Sequence, residues 1–130
     1  MADIQSSAVG IVDDDAAVLD ALKFLLEVMG HKVMTYSSAA AFLEDRAARP
    51  ACLILDQHMP QMTGLELAAH LRDEGVNIPV LLITAQPTAA VIARAAQLGI
   101  ERVLRKPPTE GDLLKFVKTH EHMGAANRST

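Results

Sequence analysis

Asp13, Asp14 and Asp15 stand in a row at the end of an apolar run, Ala8-Val9-Gly10-Ile11-Val12, and Asp56 closes a second one, Cys52-Leu53-Ile54-Leu55. A buried strand that ends in a carboxylate delivers that carboxylate to one edge of a sheet. Two such strands side by side crowd several negative charges together, an arrangement that calls for a cation or a positive side chain among them. Carboxylate oxygens are hard ligands suited to Mg²⁺, which keeps several waters and takes only a few protein groups. Asp13, Asp14 and Asp56 are therefore the candidate metal ligands. One of the carboxylates is also placed to attack phosphorus and form an aspartyl phosphate. Thr84, after the apolar run Pro79–Ile83, can donate a hydrogen bond to a phosphoryl oxygen, and Lys106, after Arg102–Arg105, can neutralise charge developing there. Phosphoryl transfer needs mainly positioning and charge screening, so this set requires no histidine or serine base.

The elements that must position these groups follow from the hydropathy pattern. Short apolar runs alternate five times with segments of helical period. Strands are expected at Ala8–Val12, Lys32–Tyr36, Cys52–Leu55, Pro79–Ile83 and Arg102–Arg105. Ala16–Met29 reads as the first helix, with Val18, Leu22, Leu25, Leu26 and Met29 on one face and Gly30 as its stop. Ser37 or Ser38 caps a short helix to about Glu44, Gly64–Asp73 is a third helix, and Pro87 and Thr88 open a fourth that runs to Leu98. Thr109 with Asp112 caps a last helix through about His120, and Glu121–Thr130 reads as a frayed, disordered polar tail. Continuous apolar strands alternating with helices imply an α/β fold, a parallel sheet covered on both faces. Right-handed crossovers put every strand's C-terminal end on one rim, where such sheets bind ligands.

Composition narrows the function class. With 130 residues, 50% hydrophobic and 22% charged, the chain fits one domain with its own core. The single cysteine, Cys52, has no disulfide partner, which points to a reducing cytoplasm. No apolar stretch approaches the ~18 residues of a membrane span. The net charge of −4 equals the four aspartates named above, leaving a balanced remainder with no nucleic-acid footprint.

The ordered set Asp13-Asp14, Asp56 with Met59-Pro60 and Gly64, Thr84-Ala85, and Lys106-Pro107 resembles the receiver domain of bacterial response regulators, the CheY-like family. The resemblance covers about residues 8 to 120, the single domain expected over 1–120. It implies a flavodoxin-like, doubly wound three-layer sandwich with five parallel strands in the order 2-1-3-4-5. It implies that Asp56 accepts a phosphoryl group from a phosphohistidine on a sensor histidine kinase or a phosphotransfer protein. Asp13 and Asp14 would then hold Mg²⁺ with Asp56 and the backbone carbonyl of His58. Thr84 and Lys106 would contact the phosphoryl group and relay its presence to the face made by the fourth helix, fifth strand and fifth helix. The activity implied is confined to the chain's own phosphorylation and dephosphorylation, in the cytoplasm, with no direct contact to nucleic acid or membrane. The resemblance also leads to a cis Lys106-Pro107 peptide.

The chain departs from the family pattern at Val103, where an aromatic usually senses the threonine, and at Pro108, where Phe is usual. His58 and Gln86 sit where rim residues would modulate dephosphorylation. Asp15 fits a helix N-cap better than a metal ligand. His120 and His122 show metal-pair spacing but belong to the polar tail, and Met59 reads as buried filler of the turn. The fourth helix is so rich in alanine that it can bury most of its circumference. Val91, Ile92, Arg94 and Ala95 are then the candidates for a partner or homodimer contact, against the plainer reading that small side chains expose little apolar area. Two other classes use similar groups. A phosphorylation-independent binding module is kept open by Val103 and Pro108, although the intact set of pocket residues argues against it. A small aspartate-dependent phosphohydrolase would need a second acid beyond Asp56 and a cap, where this chain has His58 and no insertion.

Overall fold

Five parallel strands lie in the order β2-β1-β3-β4-β5, as the resemblance implied. The computed structural model describes residues 8–45 and 47–129, with side chains described through His120. The strands are β1 (Val9–Val12), β2 (Val33–Tyr36), β3 (Cys52–Asp56), β4 (Val80–Thr84) and β5 (Arg102–Arg105); the helices are α1 (Ala16–Val28), α2 (Ala39–Glu44), α3 (Gly64–Asp73), α4 (Ala89–Gln97) and α5 (Glu110–Ser129). Each expected element is present; β3 and β4 run one residue further, to Asp56 and Thr84, while β1, β2 and β4 begin one residue later.

Strands β1, β3 and β4 are buried along their whole length because both faces are covered. Alternate residues feed two separate cores. Val12, Leu53, Leu55, Val80 and Leu82 pack under α2, α3 and α4, through Phe42, Leu67, Leu71 and Ala95. Val9, Ile11, Ile54, Leu81 and Ile83 pack under α1 and α5, through Leu19, Leu26, Leu113 and Phe116. The result is the doubly wound three-layer sandwich.

Register fixes the rim. Val12 lies opposite both Tyr36 and Leu55, so the next residues on β1 and β3, Asp13 and Asp56, emerge together. Ile83 lies opposite Asp56, and Thr84 opposite Arg105, which brings Thr84 and Lys106 to the same edge. The Lys106-Pro107 peptide is cis.

The last helix is longer than the sequence pattern indicated. It is helical through Ser129 rather than ending near His120, since no proline interrupts residues 121–129. The expected disordered polar tail, 121–130, lies outside the residues whose side chains are described. No helix among the described residues is long and apolar enough to cross a membrane.

Candidate functional site

Local devices at the strand ends set Asp13, Asp15 and the backbone of Asp56. The Asp15 side chain caps α1, accepting from the N–H groups of Ala17 at 2.9 Å and Val18 at 3.3 Å, which settles it as the helix start. Asp13 Oδ1 accepts the Asp15 N–H at 2.9 Å, so the turn that starts the helix also orients the Asp13 carboxylate. Beyond β3, the backbone folds back tightly. The Gly64 N–H donates to the Gln57 carbonyl at 3.2 Å, and a Cβ on Gly64 would lie 2.6 Å from the Asp56 carbonyl oxygen. Gln57 Oε1 accepts the Leu65 N–H at 2.8 Å, and Thr63 and Glu66 form a reciprocal capping box. Met59 is buried beneath this turn, as expected.

Sequence reasoning overlooked Gln57. Its signal was an amide side chain just ahead of a helix whose first N–H groups need acceptors.

Asp13, Asp14 and Asp56 each present a carboxylate oxygen within 4.8 Å of the others. Asp13 and Asp56 are buried and Asp14 is exposed, so Asp14 is the solvent-facing member of the cluster. Lys106 Nζ lies 2.8 Å from Asp56 Oδ1. Burial raises the pKa of Asp13; the Asp15 N–H and Lys106 oppose that shift while Asp56 and Asp14 add to it, and the balance is upward. For Lys106, burial pulls the pKa down, yet the Asp56 hydrogen bond and the charges of Asp56, Asp13 and Asp14 raise it overall. The pocket is thus a nest of negative charge with one ammonium in it. Its carboxylates offer hard oxygen ligands of the kind a divalent cation takes, with the Lys106 ammonium beside them.

Thr84 is fully buried, and its Oγ1 has two partners. The Gln86 backbone N–H donates to it at 3.2 Å, and His58 Nε2 lies 3.1 Å away. His58 and Gln86 are therefore both connected to the rim, Gln86 by its backbone. Val103 lies opposite Leu82, half-buried against the core under α4. Pro108 is half-buried, and Thr109 caps α5 directly after it by accepting the Asp112 N–H at 3.0 Å.

One expectation about α4 needs correction, the place of Ala95 on its outer face. Ala95 is the helix's one buried residue, with Val91 half-buried, because the helix rests on the sheet by a narrow strip one residue wide per turn. Ala95 is 0% exposed and faces the core, so it does not belong to an outer contact face. Ile92 is 50% exposed, and Arg94 is exposed with its guanidinium donating to Gln97 Oε1 at 3.1 Å. Away from the rim, His120 Nε2 lies 2.7 Å from Glu101 Oε1 and its ring packs on Phe116, while the His122 side chain is outside the described residues.

A family model described as the response regulator receiver domain matches residues 9–118. The response regulator protein TmoT of Ectopseudomonas mendocina is 40% identical over 116 residues, which cover 88% of this chain and 53% of TmoT. TodT of Pseudomonas putida is 34% identical over 126 residues, covering 96% of this chain and 56% of TodT. The crystal structure of FixJ-N is similar with a TM-score of 0.79 and 30% identity, covering 91% of this chain and 95% of that one. The chain spans about half the length of the curated relatives it matches.

Proposed function

The chain belongs to the response regulator receiver domain family of two-component systems, and on that premise we propose that Asp56 is its phosphoacceptor. Receiver domains take their phosphoryl group from histidine kinases, and a kinase or phosphotransfer protein carrying a phosphohistidine is the proposed donor. One carboxylate oxygen of Asp56 bonds to phosphorus as the P–N bond breaks, and the electron pair leaves with the imidazole nitrogen. The observation that carries this reading is the Asp56–Lys106 contact of 2.8 Å inside an acidic cluster. The close approach of Gly64 to the Asp56 carbonyl supports a preset backbone position for the acceptor. Lys106 offers its charge to the phosphoryl oxygens, and Thr84 offers a hydroxyl proton.

The cluster fits Mg²⁺. Three carboxylates share a space in which Asp13 is already harder to ionise, because of burial and the neighbouring Asp56 and Asp14 charges. Asp13, Asp14 and Asp56, with the backbone carbonyl of His58, are the proposed ligands. When bound, the ion screens the negative charge that otherwise keeps a phosphoryl group away from a carboxylate. The face of α4, β5 and α5 is the proposed output surface, with Ile92 and Arg94 exposed on α4, and a homodimer is one use of it.

Incubation with a small acyl phosphate and Mg²⁺, followed by intact mass measurement, tests this function. The expected result is a gain of one phosphoryl group that is absent in Asp56→Asn. No adduct together with no Mg²⁺ affinity would replace it with a phosphorylation-independent binding module. Steady consumption of the donor with no trapped adduct would replace it with a hydrolase.

A further inference from the structure

We propose that His58 is a positioning residue that holds the Thr84 hydroxyl before phosphorylation, so that a phosphoryl group on Asp56 must take this hydroxyl from the imidazole. This rests on the phosphoacceptor reading above and adds to it a competitor built into the pocket.

The inference follows from where the Thr84 proton can go. A threonine hydroxyl has one proton to donate and lone pairs to accept with. The Gln86 N–H, at 3.2 Å, occupies an acceptor position on Oγ1. Thr84 is 0% exposed, so water is not available to take the proton. A buried hydroxyl without an acceptor is costly. Among the described residues, the only other group hydrogen-bonded to Oγ1 is His58 Nε2, at 3.1 Å. Nε2 is therefore the acceptor, and the neutral ring carries its proton on Nδ1.

The two ends of this bond are unequal. His58 is exposed, and its ring can turn to water at little cost once released. Thr84 is buried and cannot. The Thr84 proton leaves Nε2 only when another acceptor arrives inside the pocket, and a phosphoryl oxygen on Asp56 is such an acceptor. The bond also ties together two loops, since His58 follows β3 while Thr84 and Gln86 lead into α4 through its N-cap, Thr88. Turning the hydroxyl toward Asp56 detaches His58 from the β4–α4 loop. That gives phosphorylation a direct mechanical effect at the start of α4 that does not pass through residue 103.

Two measurements on the full chain test the proposal. The first is the nitrogen NMR spectrum of the His58 ring in the metal-free, unphosphorylated protein. The expected result is the Nδ1–H tautomer with Nε2 accepting, and loss of that signature in Thr84→Val. The second is the affinity for beryllofluoride in the presence of Mg²⁺, as a phosphoryl mimic. His58→Leu removes the competitor and keeps the backbone carbonyl, so the mimic is expected to bind about 2- to 10-fold more tightly, the worth of one neutral hydrogen bond. His58→Gln, whose amide oxygen accepts the same proton, is expected to return the affinity toward that of the unaltered chain. An Nε2–H tautomer, or equal mimic affinity for His58→Leu and the unaltered chain, overturns the competition while the phosphoacceptor reading stands. Failure of the unaltered chain to bind the mimic at all overturns both.

Discussion

Lys106 Nζ and Asp56 Oδ1 are 2.8 Å apart, with the carboxylate almost fully buried and the ammonium 31% exposed. The pair therefore serves the resting fold as well as the proposed chemistry, since it neutralises a buried charge at the end of β3. Removing one partner of a fully buried pair costs about 3–5 kcal/mol. Solvent around Lys106 screens part of this, so Lys106→Met is expected to destabilise the chain by about 1–2 kcal/mol at neutral pH. The sign of the pH dependence follows from the raised pKa of Lys106. Its stabilisation is present below the unfolded value of 10.5 and is lost as pH rises through the folded value. Urea denaturation from neutral to alkaline pH checks this: the unaltered chain loses stability on the alkaline limb, and the variant does so less steeply.

Asp13 has the same sign of pH dependence as Lys106, but its window is acidic, so its charge is a cost at neutral pH. Its pKa is raised from 3.8, first by burial, so the folded state holds its proton more tightly than the unfolded chain. Stability from this group is greatest below 3.8 and is lost as pH rises through the raised folded value, leaving a standing cost at neutral pH. Asp13→Asn removes the charge and keeps an oxygen for the Asp15 N–H. Without metal, the variant is expected to melt about 2–5 °C higher, the size of a change near 1 kcal/mol. Mg²⁺ is expected to raise the melting temperature of the unaltered chain and to do so much less for the variant. Thermal melts with and without Mg²⁺ measure both effects.

The site was legible because strand ends and rim residues coincide in the sequence. Apolar runs that stop at Asp13, Asp56 and Thr84 have a structural cause, since each strand is buried until it reaches the rim. Contacts that cross between loops were not legible. Nothing in the spacing of His58 and Thr84 announces their bond. Arg72 likewise reads as an ordinary polar residue of α3, yet its guanidinium donates to the carbonyls of Leu98 at 2.8 Å, Val76 at 3.0 Å and Ile78 at 2.9 Å. The faces of α1 and α4 were only partly legible. Leu19 is buried in α1 while Met29, assigned to its apolar face, is 48% exposed and Phe24 is 71% exposed. Alanine fits a buried or an exposed position equally well, so the pattern of α4 could not single out Ala95 as its buried residue.

Gly64 couples fold to site through sterics. A Cβ there would lie 2.6 Å from the Asp56 carbonyl oxygen and 2.8 Å from Leu82 Cδ1. The leucine can turn aside, but the carbonyl belongs to the strand end that carries the proposed phosphoacceptor. Gly64→Ala is expected to cost about 1–3 kcal/mol through forced backbone movement. It is also expected to slow acyl phosphate labelling by roughly tenfold or more, since small misplacements of a reacting group are costly. A variant of unchanged stability and labelling rate would show that the β3–α3 turn yields without disturbing Asp56.

The α4 surface permits a test that separates fold from output. Ile92 is half-exposed among the exposed alanines 89, 90, 93 and 96, and makes no part of the core under the helix. Ile92→Glu is therefore expected to change monomer stability by no more than about 0.5 kcal/mol. If α4 contributes a contact between two copies, beryllofluoride with Mg²⁺ should shift the unaltered chain toward a dimer in sedimentation velocity, and Ile92→Glu should remain monomeric under the same conditions. The charge would be desolvated at such a contact without a partner, which is why a single substitution suffices. A monomer at high concentration in both states, with and without the mimic, would remove α4 as a self-contact. The helix would then be an ordinary exposed one whose small side chains present little apolar area to water.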